Sequence, residues 1–157
     1  MSISEEEDLK AFHTKFGFPL NHRLDRCSPT ASMDVFIQTY LMLQELGKAI
    51  LPEALIQQKM GDERLYRLHL IIEEAGELAE AFCKLDKVET ADALGDLLYV
   101  TIGTAVTYGM PLTALFNEIH ASNMSKTRDP NDPRMRGKDP ARGYFPPNIR
   151  KVLDENQ

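Results

Sequence analysis

A run of acidic side chains in the middle of the sequence has helical spacing. Glu73, Glu77 and Glu80 are separated by four and three residues, so at about 100° per residue they share one face of a helix. Glu74 lies about 100° from Glu73 around the same helix. Most apolar residues between positions 65 and 82 fall on the opposite side. This pattern predicts an amphipathic helix with a carboxylate face.

A second acidic stripe follows on the next stretch of helical sequence. Asp92 and Asp96 are one helical turn apart, Glu89 lies close to the same line, and Tyr99 continues it. Only a short turn around Leu85–Lys87 separates this stretch from the first one. A short connection makes two helices antiparallel neighbours. We therefore expect the two stripes to face one another across a groove.

Facing carboxylates need a positive partner. Like charges one turn apart on a helix cost a few tenths of a kcal/mol per pair, and two facing stripes cost more. Mg²⁺ prefers carboxylate and water oxygens, and Mn²⁺ is a natural substitute. The groove has neither a cysteine nor a pair of histidines with metal-ligand spacing, which disfavours zinc, copper and nickel. The sequence therefore predicts a magnesium site on these two helices.

The acidic residues are also compatible with simpler structural roles. A solvated helix face carries acids for solubility alone. Glu80 has Lys84 four residues later as an ion-pair partner. Glu89 stands near a helix start, where any acid is favoured by the helix dipole. Glu73, Glu74, Glu77, Asp92 and Asp96 are therefore the stronger metal-ligand candidates, and Glu89 is a weaker one.

Composition sets the broad class of the protein. The chain has 157 residues, of which 43% are hydrophobic and 27% charged, with 18 basic and 24 acidic residues and a net charge of −6. We expect no nucleic-acid partner, because such binders are basic. We also expect no membrane partner, because no apolar run approaches about 20 residues. The acidic N-terminal segment does not resemble a secretory signal, and Cys27 and Cys83 form no disulfide framework. A cytoplasmic location is expected.

The chain reads as an all-α protein, a bundle of four to five helices. One domain is expected over residues 1–157, with a loop-rich basic tail over 127–157, which carries 7 of the 18 basic residues. Strand signals are weak. The predicted helices cover residues 4–17, 33–47, 51–60, 62–84, 88–108 and 112–126, with a short helical tail at 149–153 and a loop over 19–32.

The acidic motifs resemble those of a known superfamily. Glu73-Glu74-Ala75-Gly76-Glu77, followed by Asp92 and by Asp96 within Leu94-Gly95-Asp96, is similar to the all-α nucleoside triphosphate pyrophosphohydrolases. The similarity is closest to MazG-like and phosphoribosyl-ATP pyrophosphohydrolase-like proteins. It extends through Ser122–Lys126 and the closing Gly143–Pro147 segment.

The resemblance implies a Mg²⁺-dependent cut between the α- and β-phosphates of a nucleoside triphosphate, giving the monophosphate and pyrophosphate. It implies that Glu73, Glu74 and Glu77 form the first acidic motif and that Asp96 belongs to the second. One departure concerns Ala93, where MazG-type sequences place a glutamate. Asp92, or Glu89 together with Asp92, is expected to supply the missing oxygen. The resemblance also implies a homodimer or homotetramer.

Further residues are assigned to catalysis and substrate binding as hypotheses. Glu74 and Glu77 are the catalytic candidates, with Glu74 as the acceptor of the proton of the attacking water. Lys126 and Arg67, then Lys138 and Arg142, are expected to meet phosphates. Asn123 is expected to contact sugar or base, Tyr99 to stack on a base, and Tyr144 of the closing segment to contact substrate.

Two rival functions use the same residues differently. A di-iron carboxylate bundle needs Glu-x-x-His on two helices, and the sequence contains no such motif. A non-catalytic helical interaction module with a solvated acidic face predicts neither Mg²⁺ affinity nor hydrolysis. A nucleotide assay with and without Mg²⁺ separates that module from an enzyme.

Overall fold

A computed structural model describes residues 3–24, 27, 32–129 and 137–156. Its α-helices, in chain order, are α1 (Ile3–Phe16), α2 (Ser32–Lys59), α3 (Arg64–Lys84), α4 (Lys87–Thr107), α5 (Leu112–Ser125) and α6 (Ile149–Glu155), and a 3₁₀ turn spans Pro140–Arg142. These described residues form no β-strand. They contain one isolated antiparallel bridge, between Thr127 and Gly137. The all-α prediction is confirmed.

The chain divides into two compact units. The first contains Met1–His22 and Gly109–Gln157, with α1, α5 and α6, and the second is Arg23–Tyr108, with α2, α3 and α4. Both predicted acidic helices lie in the second unit. The expectation of a single domain over residues 1–157 stays a prediction. No single described helix is both long and apolar enough to cross a membrane.

The helix α2 is longer than predicted. The sequence predicts a break after Gly47 and a second helix near Pro52, but α2 runs continuously through both residues. The expected end at Gly47 is wrong because this glycine serves helix packing. A Cβ at Gly47 would lie 3.7 Å from the ring of His69. Pro52 is exposed on the helix surface, so the helix tolerates its missing N–H there.

The helices α2 and α3 pack antiparallel through small residues. The rings of Phe36 and Phe82 have centroids 6.0 Å apart, and a Cβ at Gly76 would lie 3.6 Å from Leu43. Together with the Gly47–His69 approach, these pairs run in opposite directions along the two helices. Glycine at two of the crossing points brings the backbones close together.

The turn between α3 and α4 forms the predicted antiparallel hairpin. Leu85 ends α3 in the left-handed conformation, with φ of 55°. Asp86 then caps α4, since its side chain accepts the backbone N–H groups of Val88 at 2.7 Å and Glu89 at 3.0 Å. At the other end of the hairpin, a Cβ on Gly103 would lie 3.4 Å from Arg67 Nη1. These contacts hold the two acidic helices side by side.

The start of α3 differs from the prediction. Asp62 was the expected first residue, but the helix begins at Arg64 with Glu63 at its N-cap. Asp62 lies just outside and accepts the Arg64 backbone N–H at 3.0 Å. Its carboxylate also pairs with the Arg64 guanidinium at 2.6 Å. Hydrogen bonds from Arg64 lower the pKa of Asp62 to about 2.

The first unit is held together by side chains that cap helix ends. Lys15 of α1 donates to the Met124 carbonyl near the end of α5. Arg128 Nη2 donates to the Phe16 carbonyl at 3.1 Å. In the predicted basic tail, residues 130–136 lie outside the described part, as do residues 25, 26 and 28–31 of the predicted loop 19–32.

Candidate functional site

Five acidic side chains of α3 and α4 share one electrostatic environment. They are Glu73, Glu74, Glu77, Asp92 and Asp96, called here the carboxylate cluster. Burial raises the pKa of Glu74 above its ordinary value of 4.5, and the charges of the other four members raise it further. Because two of those members lie on α4, the stripes of the two helices act on one another as expected.

Glu74 is the half-buried member of the cluster. Its Oε2 atom is enclosed and has no hydrogen-bond partner among the described residues. An enclosed carboxylate oxygen without a donor is costly, since burial removes the water that would otherwise solvate it. Within the described part of the chain, this oxygen therefore lacks the hydrogen bond that would offset the cost of its burial.

Glu77 is an exposed member of the carboxylate cluster, and acids of both helices act on its charge. Its pKa is raised by burial first and then by the charges of Glu73, Asp96, Asp92 and Glu80. Two of these neighbours belong to the same helix and two to α4. Glu77 therefore links both stripes, and its ionised form is disfavoured in the folded protein.

Lys84 forms ion pairs with two acids that do not belong to the carboxylate cluster. Its Nζ atom lies 3.2 Å from Glu80 and 2.9 Å from Glu89, and hydrogen bonds to both raise the pKa of Lys84. The Glu80–Lys84 pair was expected from the spacing. Glu89 has the same lysine as a partner across the turn, so the structure gives it a structural ion pair. Its proposed metal role stays a prediction.

The side chains of the carboxylate cluster have the donor chemistry that a hard divalent cation requires. All the donors are carboxylate oxygens, the type that Mg²⁺ and Mn²⁺ prefer, and the unpartnered Oε2 of Glu74 suits a cation. However, no group of three or more His, Cys, Asp or Glu side chains is arranged to hold a metal ion within the described ranges. The donor chemistry fits a hard divalent cation, but the carboxylates do not converge on one point in this arrangement of side chains.

The MazG-type glutamate position carries a buried residue here. Ala93 is only 4% exposed, whereas Asp92 and Asp96 on either side of it are exposed. Both aspartates act on Glu74 and Glu77. That Asp92 supplies the carboxylate that Ala93 lacks stays a prediction.

Arg67 lies at the opposite end of the α3–α4 hairpin from Lys84. Its side chain is 26% exposed, and Nε is 3.9 Å from Glu63, too long for a hydrogen bond. Nε is otherwise buried without a hydrogen-bond partner in the described part of the chain. The guanidinium lies against Gly103 of α4. Tyr99, on the same face of α4, is 78% exposed.

The remaining predicted substrate residues belong to the first unit. These are Asn123, Lys126, Lys138, Arg142 and Tyr144. Lys126 donates to the Asn123 side chain, so these two neighbours form one polar group. Arg142 lies 3.4 Å from Asp139, and Lys138 is exposed. Their roles in binding stay predictions.

One buried polar residue next to the cluster was not recognised from the sequence as part of the site. His69 is only 7% exposed. Its Nε2 atom lies 3.7 Å from Glu73 Oε2. The signal available in the sequence was its position one helical turn before Glu73.

A cleft in the second unit is lined by residues outside the carboxylate cluster. It has a volume of about 390 Å³ and is lined by Glu53, Gln57, Asp62, Arg64, Leu65 and Leu68. None of these residues belongs to the cluster. Electrostatics and burial, and not cavity size, therefore identify the candidate site.

Comparison with known proteins agrees with this site. Residues 48–123, just under half of the chain, match the family model described as phosphoribosyl-ATP pyrophosphohydrolase. The match includes the whole carboxylate cluster and excludes Lys126, Lys138, Arg142 and Tyr144. Searches of the curated proteins and of the solved structures each found no match. Over residues 48–123, the chain is therefore similar to the all-α nucleoside triphosphate pyrophosphohydrolase superfamily, whose members are hydrolases that act on phosphoanhydride bonds.

Proposed function

We propose that the chain is a Mg²⁺-dependent nucleoside triphosphate pyrophosphohydrolase that cuts between the α- and β-phosphates and releases a monophosphate and pyrophosphate. The observation that supports this most is the coupling within the carboxylate cluster. Burial raises the pKa values of Glu74 and Glu77 of α3, and the charges of Asp92 and Asp96 of α4 raise them further. Five acids held together without a lysine or arginine among them favour a cation as their partner.

The members of the carboxylate cluster would hold the metal ion. Bound there, Mg²⁺ neutralises phosphate charge and polarises the phosphoryl group. The acids themselves repel a bare triphosphate, so they select a nucleotide that arrives with its cation. Glu80 and Glu89, paired with Lys84, contribute little to this selection.

Glu74 is the proposed acceptor of the proton from the attacking water. Burial and neighbouring charge raise its pKa, which makes its carboxylate a stronger base than an ordinary glutamate. Oε2 has no donor among the described residues, so it is available to that proton. Glu77 shares the electrostatic environment and is proposed to orient the water or hold the cation.

Substrate binding is proposed for cationic and polar residues outside the cluster. Arg67 stands at one end of the α3–α4 hairpin with an unpartnered Nε and suits an anionic group of the nucleotide. Tyr99 is exposed enough to stack on a base. Asn123, Lys126, Lys138, Arg142 and Tyr144 remain candidates for the phosphates, sugar and base.

The name of the matching family model suggests a substrate for the assay. Phosphoribosyl-ATP is named there, and it carries the triphosphate that the proposed reaction requires. We propose a substrate class of nucleotides with an intact triphosphate, in which phosphoribosyl-ATP stands beside canonical and modified nucleoside triphosphates.

A nucleotide panel with separated products tests this proposal. Purified protein is incubated with each nucleotide in Mg²⁺ and in excess chelator, and products are resolved by ion-exchange chromatography. Monophosphate and pyrophosphate in equal amounts, formed only with Mg²⁺ and lost in Glu74→Gln, support it. Glu45→Gln, an exposed glutamate of α2 paired with Lys48, is the matched control. Release of orthophosphate, or no metal-dependent turnover of any nucleotide, would contradict it and favour an interaction module.

We also propose that the chain assembles as a homodimer or homotetramer. No large side chain in the described part is fully buried, and apolar residues of α2 are widely exposed, among them Val35 at 64%, Met42 at 71% and Ile56 at 53%. Faces of this kind mark interaction surfaces. Light scattering after size exclusion should give two or four times the 17.8 kDa chain mass, and a monomer at micromolar concentration would contradict assembly.

A further inference from the structure

The His69 side chain of α3 is buried against α2. This side chain is 9% exposed, and its ring lies 3.7 Å from where a Cβ would stand on Gly47 of α2. A side chain larger than that of alanine at position 47 would press on the ring. The packing therefore limits the movement of the imidazole, and its two nitrogens have defined surroundings.

The surroundings of the two nitrogens favour one tautomer. Nδ1 is buried and has no hydrogen-bond partner among the described residues, while Nε2 lies 3.7 Å from Glu73 Oε2. In a neutral imidazole, one nitrogen carries a proton and the other a lone pair. A proton on Nδ1 would bury an unsatisfied N–H and turn a lone pair toward a carboxylate. A proton on Nε2 avoids both costs.

We propose that His69 is a positioning residue that donates its Nε2–H to Glu73 and so orients this carboxylate within the cluster. The inference rests on the proposed metal-dependent function, because it assigns His69 a part in preparing the acids for a cation. Hydrogen bonds from a second layer of residues orient metal-binding side chains, and their loss commonly weakens metal binding about 10- to 100-fold.

The proposed hydrogen bond forms when the Glu73 carboxylate moves closer to the His69 ring. A separation of 3.7 Å exceeds hydrogen-bond length. The Glu73 side chain is 50% exposed and free to rotate, whereas the ring is enclosed. A side-chain rotation that moves Glu73 Oε2 by less than about 1 Å would shorten its distance from His69 Nε2 to about 3 Å. One oxygen of Glu73 then faces the imidazole and the other is left for the cation.

Mn²⁺ binding in the absence of nucleotide provides the first test. Free Mn²⁺ is followed by electron paramagnetic resonance in wild type, His69→Leu and His69→Gln. We expect His69→Leu to weaken Mn²⁺ binding about tenfold or more. Glutamine presents an N–H near the position of Nε2, so His69→Gln should stay within about threefold of wild type. His120→Leu removes the other His–carboxylate pair, with Asp8 at 3.8 Å, and should leave the affinity unchanged.

A double-mutant cycle with Glu73→Gln separates positioning from general damage. If His69 acts through Glu73, then His69→Leu should weaken Mn²⁺ binding by less than about twofold in the Glu73→Gln background, because coupled residues are not additive. A merely structural role would give the same loss in both backgrounds. If His69→Leu does not fold, the pair His69→Gln and His69→Asn replaces it, since asparagine places its amide near Nδ1 and should bind Mn²⁺ more weakly.

Imidazole ¹⁵N chemical shifts of the metal-free protein give a readout that needs no cation. The Nε2–H tautomer supports the inference, and the Nδ1–H tautomer overturns it. Unchanged Mn²⁺ affinity in a folded His69→Leu protein, or equal affinity in His69→Gln and His69→Asn, also overturns it while leaving the metal site intact. Wild-type protein that binds no Mn²⁺ overturns the proposed function itself, together with the role of His69 in it.

Discussion

Replacing Glu77 with glutamine should make the metal-free protein more stable while removing its activity. In the folded state, the Glu77 carboxylate faces Glu73, Asp96, Asp92 and Glu80, and together with burial these charges raise its pKa. A raised pKa means that the ionised form is less favourable in the folded protein than in the unfolded chain. Glutamine keeps the shape and removes this charge.

The expected gain follows from the number of repulsive pairs. A like-charge pair at helical spacing costs about 0.2–0.5 kcal/mol. If the two cross-helix pairs cost about the same, four pairs sum to roughly 1–2 kcal/mol. Glu77 is exposed, so water screens these pairs and about 1 kcal/mol is the better figure. For a chain of this length, that corresponds to a rise in Tm of about 2–4 °C.

The pH dependence of this gain has a definite sign. The repulsion exists only when Glu77 is ionised. The stability difference between variant and wild type should therefore be absent well below the ordinary pKa of 4.5. It should grow as the pH rises through that value and be complete above the raised pKa. Thermal unfolding followed by circular dichroism between about pH 4 and pH 8, in chelator, measures it.

Mg²⁺ should reverse the order of stability, so that wild type becomes more stable than Glu77→Gln. A ligand at about 100 times its Kd stabilises the folded state by about 2.7 kcal/mol, and wild type should gain this while Glu77→Gln gains less. Glu45→Gln loses only an exposed pair with Lys48 at 3.3 Å, so its Tm should be unchanged or slightly lower. A metal-free Glu77→Gln protein that is less stable than wild type at neutral pH would refute the reasoning.

Substitutions at three further positions test separate parts of the structure. Glu89→Gln should retain more than about a third of wild-type turnover in the nucleotide assay, because Lys84 already neutralises Glu89. A loss of activity like that of Glu74→Gln would indicate that Glu89 is a metal ligand. Asp86→Ala removes the cap of α4 and should lower stability by about 1 kcal/mol in urea unfolding, and an unchanged midpoint would contradict the capping role. Gly47→Ala should be tolerated, because its Cβ meets His69 at 3.7 Å, whereas Gly47→Leu should cost about 1–3 kcal/mol by overpacking; equal Tm values would show that α2 and α3 are not tightly packed there.

The helices were largely predictable because their signals are local. Periodicity and short connections predicted the α3–α4 hairpin, and its observed ends, Lys84 and Lys87, lie at or next to the expected ones. The break in α2 was wrong because Gly47 and Pro52 are local helix breakers, whereas contact with α3 decided the outcome. A glycine that ends a helix and a glycine that lets another helix approach look the same in one sequence.

The site was predictable in its residue types and less so in its pairings. Spacing alone placed Glu73, Glu74 and Glu77 on one helix and two aspartates opposite them. The pairing of Glu89 with Lys84 depends on the geometry of the turn, which the sequence does not specify in detail. The burial of His69 beside Glu73 depends on how close α2 comes to α3, and that approach depends on Gly47.

Paramagnetic broadening by Mn²⁺ tests the central claim most directly. In ¹⁵N-labelled protein titrated with substoichiometric Mn²⁺, the amide signals of residues 73–77 and 92–96 should broaden together, before any others, and should recover when excess Mg²⁺ is added. Such a result would place one cation between α3 and α4. Broadening that is confined to one helix, that begins at other acidic segments such as residues 5–8, or that Mg²⁺ does not reverse would contradict a shared metal site.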